Sequence, residues 1–237
     1  MSLTLATWNV WNRSPAPGRI AELQADICAF QELTEAHIAH LDGHYLAEDF
    51  IEGEVTRLGL VTRLPVRRHE VIGINLNREI SASPLGRAMG WVECLEAQHL
   101  VVEAGGPLSV VNLHLSCAVG PGARADETSR ILAGFELSER AVILGDFNSF
   151  AQPLLAPVLA PLCAYRWGDF AKLEERTLRR RMASLGFAAC PLARPTLPRF
   201  GLRLDHIFCR GLRILEAEVE RETMGSDHRP VRATLSG

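Results

Sequence analysis

Short apolar runs recur along the chain, and each stops at polar or turn-forming residues. Leu3–Trp8, Ile27–Phe30, Leu58–Val61, Trp91–Leu95, Ser109–Leu113, Ala141–Leu144 and Leu204–Phe208 have the length of buried strands. Leu58–Arg63 and Val66–Ile74 flank Leu64-Pro65, which predicts two strands joined by a tight connection. Leu215, Ala217 and Val219 alternate with Glu216, Glu218 and Glu220, the pattern of a strand with one wet face. Helical spacing is confined to Arg19–Ala25, Thr34–Leu41, Arg124–Ser138 and Thr177–Leu185, the last stopped by Gly186. Many strands with few helices predict an α/β chain with two largely antiparallel or mixed sheets covered by helices. A regular βαβ barrel would need more helices.

Composition narrows the class. The 237 residues contain no repeat, low-complexity tract or Gly/Ser linker, so one domain over residues 1–237 is expected. With 47% hydrophobic and 22% charged residues, disorder and fibrous structure are excluded. A formal net charge of −3 means that the molecule as a whole does not attract polyanions, so a phosphate substrate must be met by local groups. Lys172 is the only lysine, an arginine bias that codon usage explains as well as phosphate binding does. The cysteines form no C-x-x-C pair and lie mostly in apolar runs, as reduced core residues of an intracellular protein do. The N-terminus lacks the basic and apolar regions of a secretory leader, and prolines interrupt every long apolar stretch. A cytoplasmic protein is expected.

Several of the apolar strands end in the same kind of functional group. The first runs into Thr7-Trp8-Asn9, the second into Gln31-Glu32, and Ser109–Leu113 into His114. Ala141–Leu144 runs into Gly145-Asp146-Phe147-Asn148. Asp205-His206 opens the run to Phe208, and Ser226-Asp227-His228 precedes Pro230-Val231. In a mixed sheet the end of one strand and the start of its neighbour share an edge. That puts Asn9, Glu32, His114, Asp146, Asn148, Asp205, Asp227 and His228 along one rim. Carboxylates and amides without thiols make a hard-oxygen site suited to Mg²⁺ or Mn²⁺. Histidines beside them can donate to phosphate oxygens or move protons, and an aspartate can hold each imidazole in one orientation. Such a set matches metal-assisted hydrolysis of a phosphoester.

These segments resemble the endonuclease/exonuclease/phosphatase superfamily, which includes pancreatic deoxyribonuclease, apurinic-site endonucleases, neutral sphingomyelinases and inositol polyphosphate 5-phosphatases. The matching stretches are Thr7–Val10, Asp26–Glu32, Gly59–Val66, Asn112–Leu115, Gly145–Ser149, Leu204–Phe208 and Gly225–Val231, in the family's order and over nearly the whole chain. Gly-Asp-Phe-Asn alone is a weak signal; joined to Gly-Ser-Asp-His-Arg-Pro-Val and an upstream Gln-Glu, it is specific. The resemblance implies a four-layer α/β sandwich of two mixed sheets flanked by helices, with the site on one edge. It implies that Glu32 is the principal metal ligand, helped by Asn9 and Asp227. Asp146 would orient or deprotonate the attacking water, and Asn148 would bind the scissile phosphate. His228, held by Asp205, would stabilise a phosphorane-like transition state. Whether Asp146 or His228 is the base stays open at this level.

Departures from the pattern bear on the substrate. His114 occupies the place where deoxyribonuclease and sphingomyelinase types carry histidine and apurinic-site endonucleases usually carry tyrosine. Trp11 stands where those repair enzymes have an aspartate, and His206 replaces a frequent tyrosine. The resemblance thus implies a Mg²⁺- or Mn²⁺-dependent phosphoesterase acting on a phosphodiester in nucleic acid, as endonucleases and exonucleases do. The alternatives are a phospholipid phosphodiesterase, a phosphatase of a small phosphorylated metabolite, or an inactive phosphate-binding module.

Other polar groups read more plainly. Arg87 is expected to be solvated, as are His37, His40 and His44, which Gly43 separates and no carboxylate or thiol completes as a zinc set. Helical geometry spreads Arg179, Arg180 and Arg181 around a cylinder, so a solvated surface is expected there too. Trp8 and Trp91 lie in core patterns; Trp11 and Trp167 are loop residues able to touch substrate.

Overall fold

A computed structural model describes residues 2–11, 13–41, 45–50, 57–75, 83–89 and 94–237. Among these residues the strands assemble into two six-stranded mixed sheets. The first contains β1 (Ser2–Asn9), β2 (Ile27–Leu33), β3 (Tyr45–Phe50), β4 (Arg57–Thr62), β11 (Arg213–Val219) and β12 (Val231–Ser236), in the order β11-β12-β1-β2-β4-β3. The second contains β5 (Val66–Asn75), β6 (Cys94–Glu103), β7 (Pro107–His114), β8 (Ala141–Asp146), β9 (Ala188–Ala189) and β10 (Asp205–Arg210), in the order β5-β6-β7-β8-β10-β9. Each sheet has one parallel pair near its centre, β1/β2 and β7/β8, with antiparallel neighbours on both sides.

Unbroken apolar runs are explained by burial on both faces. Leu5, Ile27, Leu60, Val110, Leu144 and Ile207 fill the core between the sheets. Their sequence neighbours Val111, Ile143 and Phe208 point outward, against Ile131 of helix α3 (Pro121–Gly134) and Met182 of α5 (Glu174–Ser184). On the other outer face Ala6, Trp8 and Phe30 pack against Ile20 and Leu23. Fully burying each large aliphatic or aromatic side chain contributes about 1.5–3 kcal/mol, which makes these three clusters the main stabilising element. The result is the four-layer sandwich, helix, sheet, sheet, helix.

Several elements differ from the sequence pattern. The helix expected at Arg19–Ala25 is a 3-10 turn, Pro17–Glu22, closed by bonds such as Leu23 N to Ile20 O. Pro17 and Gly18, both poor helix formers, stand at its start. Thr34–Leu41 yields only one α-turn, α1 (Glu35–Ile38), capped by Thr34. Arg124–Ser138 starts earlier, with Pro121 in the first turn where its missing N–H costs nothing, and ends at Gly134. A Cβ on Gly134 would lie 2.2 Å from Ile72 Cδ1, so glycine lets this helix settle on β5. The strand expected at Trp91–Leu95 runs on to Glu103, its period hidden by buried Gln98 and His99; Trp91 lies outside the described residues. The tight connection at Leu64-Pro65 links β4 to β5, which belong to different sheets. The helices α2 (Pro84–Met89) and α4 (Ala156–Leu159) lie outside the expected helical stretches, the second in a segment that Pro153, Pro157 and Pro161 punctuate. Gly186 does end α5, at φ +81°. Among the described residues no helix is long and apolar enough to cross a membrane.

Candidate active site

Strand direction decides which residues meet. β1 and β2 are parallel, so both end at the same edge, with Asn9 beside Gln31. β7 and β8 do the same in the second sheet, with His114 beside Asp146. β10 runs antiparallel to β8, so its first residue, Asp205, stands opposite Asp146. β12 is antiparallel to β1, so Ser226–Pro230 arrive at this edge just before it begins. Gly145 permits the close approach: its φ is +142°, and a Cβ there would sit 2.0 Å from Leu113 O.

Asn9 Nδ2 is 3.0 Å from Glu32 Oε1 and 3.1 Å from Asp146 Oδ2, linking a side chain of the first sheet to one of the second. Asn9 Oδ1 accepts the Trp11 amide at 3.0 Å. Glu32 sits in an irregularity of the β2/β4 pairing with φ +60°, and Asn148 has φ +46°. Asparagine tolerates this left-handed region; for glutamate it is strain, on the order of 1–3 kcal/mol, that aims the carboxylate at the rim. Asp146 Oδ1 accepts the Asn148 amide at 2.9 Å, and Asn148 Nδ2 donates to Leu115 O at 2.7 Å. His114 Nε2 lies 3.7 Å from Asp146 Oδ2.

His228 is the most constrained group. Its Nδ1 is 2.8 Å from Asp205 Oδ2 and its Nε2 is 4.0 Å from Asp146 Oδ2. Its amide donates to Ser226 Oγ at 2.9 Å, while Trp8 Nε1 donates to its carbonyl at 3.1 Å. Burial pulls the imidazole toward neutrality, but Asp205, then Asp146 and Asp227, overcome it and push it up to about 10. Burial likewise raises the Asp205 carboxyl, against the pull of His228. Asp227 is raised by the loss of solvent around its carboxyl and by Glu32 and Asp146, against the pull of His228. All eight residues expected at the site therefore meet at this edge.

Other groups, outside the expected set, support them. Thr196 Oγ1 accepts the amides of Leu204 and Asp205 at 2.9 and 3.2 Å, and so fixes the start of β10. Gln31 Nε2 donates to Asn112 Oδ1 at 2.7 Å, and Asn112 Nδ2 donates to Phe30 O and Gly59 O at 3.0 and 3.1 Å. This is a buried polar tie between the sheets beneath the rim. Their polarity inside apolar strands was the available hint. Buried Arg124 pairs with Glu174 through Nε at 2.7 Å and Nη2 at 2.8 Å, and its Nη1 donates to Ser116 O. It braces the segments that follow His114 and Asn148.

The remaining polar groups are mostly as expected, with one correction. His37 is not on a solvated face. It is buried, with Nδ1 2.9 Å from Thr34 Oγ1, because it completes the cap of α1. His40 and Arg87 are exposed, and His44 lies outside the described residues. Arg179 pairs with Glu175 and Arg181 reaches Ser129, while Arg180 is exposed. Trp8 is core, Trp11 is half-buried and Trp167 is fully on the surface.

The donor set fits a hard divalent cation. Among the described residues the ion pairs of Asp146 and Asp205 are with histidines, not with arginine or lysine, and Asp205 Oδ1 is buried without a partner. Ligand atoms of Asp146, Asp205 and His228 lie within 4.8 Å of one another. Such an excess of carboxylate oxygen calls for positive charge.

The model of the Endonuclease/Exonuclease/phosphatase family matches residues 6–228, a span that includes every residue of this rim. The chain belongs to that family. Its members hydrolyse phosphoesters, and this chain is a phosphoester hydrolase with the family's α/β sandwich fold. No curated protein matches the sequence. Among solved structures, the endonuclease/exonuclease/phosphatase from Beutenbergia cavernae is 17% identical, with a TM-score of 0.65 over 99% of this chain and 71% of its own. TDP2 from D. rerio, complexed with single strand DNA product, is 17% identical, with a TM-score of 0.67 over 100% of this chain and 99% of its own. The family protein from Bacteroides vulgatus is 17% identical, with a TM-score of 0.66 over 100% and 99%. At this identity the likeness concerns the fold.

Proposed function

We propose that this family member is a Mg²⁺- or Mn²⁺-dependent phosphodiesterase acting on nucleic acid. The observation that carries the reading is the buried Asp205–His228 pair set beside Asp146, on a rim whose other charges are carboxylates. Glu32, with Asn9 and Asp227, would hold the cation, as the family resemblance implies, while Asp205 Oδ2 and His228 Nδ1 stay engaged with each other. A divalent cation supplies Lewis-acid stabilisation of the charge that builds on phosphoryl oxygens.

The side chains do the rest. His228, held protonated by Asp205, donates from Nε2 to a phosphoryl oxygen and stabilises the negative transition state. That leaves Asp146 to orient the attacking water and accept its proton through Oδ2, while Oδ1 stays on the Asn148 amide. Asn148 retains one amide hydrogen for the phosphate after its bond to Leu115 O. His114, partly exposed beside Asp146, donates to a second phosphoryl oxygen. The TDP2 structure with single strand DNA product supports nucleic acid as the polymer. A phospholipid head group is the second reading, favoured by an apolar loop that begins close after Asn148.

The test is hydrolysis of bis-(p-nitrophenyl) phosphate beside p-nitrophenyl phosphate with Mg²⁺, Mn²⁺ or EDTA, with Asp146→Asn as control. Metal-dependent diester cleavage that vanishes in the variant supports the reading, and DNA, RNA and phospholipid panels then assign the leaving group. Cleavage of the monoester alone would replace it with a metabolite phosphatase.

A further inference from the structure

Between Asn148 and α5 the chain makes an excursion whose ends are tied together. The Glu174 amide donates to Ala151 O at 3.0 Å, and the Ala151 amide donates to Glu174 Oε2 at 2.9 Å. From 152 to 163 the backbone winds helical turns, with bonds such as Leu159 N to Leu155 O and Cys163 N to Leu159 O. Leu154, Val158 and Leu162 recur on these turns at every fourth position and so form one stripe. Such a stripe ordinarily faces a core. Here Leu154 is 89% exposed, Val158 64% and Leu162 41%. At the loop's tip Trp167 is 95% exposed, and Phe170 and Leu173 are exposed as well. Most of the exposed large hydrophobic side chains among the described residues belong to this loop.

The tip is braced. Buried Asp169 accepts the Arg166 amide at 2.9 Å and Lys172 Nζ at 2.8 Å. Gly120 and Gly122 make room for it, since a Cβ on either would come within 2.9 Å of its carboxylate. Trp167 is thus held outward by a fixed turn.

The border is basic. Arg176 and Arg180 follow Leu173 at helical spacing on the exposed side of α5, whereas Asp169 and Glu174 are buried, Glu175 is paired with Arg179 and Arg203, and Asp126 with Arg166. In a chain of net charge −3 this is a local reversal of sign. Aliphatic bulk, an indole and a cationic border together suit the boundary between headgroups and acyl chains of an anionic bilayer. Base stacking would use Trp167 and Phe170 but leaves the aliphatic stripe without a role. A second copy docked by the same face would set the two cationic borders against each other.

We propose that residues 151–174 form an interfacial surface by which this protein lies on an anionic phospholipid bilayer, next to the rim that carries Asn148. Docking of this kind is measured by binding, so its failure leaves the hydrolytic reading standing.

The experiment is cosedimentation with phosphatidylcholine vesicles made with or without phosphatidylglycerol. The wild type should sediment with the anionic vesicles, less so as salt rises. Leu154→Asp with Val158→Asp should weaken that binding at least about tenfold while thermal unfolding and turnover of the small diester stay unchanged. Trp167→Ala should weaken it too. Absence of binding to anionic vesicles, or undiminished binding by the variants, would overturn the proposal. So would loss in the variants of single-stranded DNA binding, or of a concentration-dependent dimer, in place of vesicle binding.

Discussion

Asp205 stands directly opposite Asp146 on the neighbouring strand, yet the two buried carboxylates hold different partners. Asp205 meets the His228 imidazole at 2.8 Å, whereas Asp146 meets the Asn9 amide at 3.1 Å and keeps His228 at 4.0 Å. One anion is committed to charging the histidine; the other is left facing the space in front of both. The proposed division of labour between transition-state donor and water-orienting group rests on that difference.

Asp205→Asn removes the anion that charges His228. In the metal-free protein, His228 should titrate near 10 in the wild type and at lower pH in the variant, as followed by NMR. The sign follows from linkage. A histidine raised from 6.5 to about 10 contributes stability that is fully present below 6.5 and lost as pH rises through about 10. The variant should lack that loss. Its turnover at neutral pH should drop on the order of 10²-fold or more. An unchanged His228 titration would show that another group charges it.

His228→Ala and His114→Ala should each lower turnover by roughly 10²–10⁴-fold, with melting temperatures close to wild type. Near-wild-type rates in either would remove that residue from the chemistry.

Glu32 lies at the strained turn that points its carboxylate into the rim. Glu32→Gln should raise the Mg²⁺ or Mn²⁺ concentration needed for half-maximal rate by at least about tenfold, in line with the usual penalty for disturbing a metal site. An unshifted metal dependence would move the cation to other groups.

Glu127 is buried behind the rim, and its two oxygens accept the Ser116 amide at 3.3 and 3.4 Å. Burial raises its carboxyl to about 8, despite nearby Arg124. The folded protein then keeps a proton that the unfolded chain releases above 4.5, so this contribution to stability is full below 4.5 and lost as pH rises through about 8. Glu127→Gln keeps the shape and cannot titrate. Its thermal stability relative to wild type should increase between those pH values and level off above them. A constant difference would show that Glu127 is charged throughout.

Most of the rim was readable because strand ends announce themselves. Asp146 and Asn148 follow an apolar run, and Asp227 and His228 precede one, so local pattern was enough to put them on an edge. Thr196, Arg124 and Glu174 could not be read this way. Each acts through contacts with other segments of the chain, and nothing in its neighbours marks it. His37 departs from the expected solvated face for a related reason: helical spacing suggests a face but does not say what covers it.

By itself the sequence determined the two-sheet class, the absence of a barrel and the set of polar groups at strand ends, because two-sided burial and chain reversal leave periodic marks. Only the tertiary structure decided that Asp205 touches His228 at 2.8 Å while Asp146 stays 4.0 Å away, that Leu64-Pro65 passes between sheets, and that Leu154, Val158 and Leu162 face outward. Those outcomes depend on strand direction, on register and on what packs against each face. They are properties of segments far apart along the chain, and no local pattern encodes them.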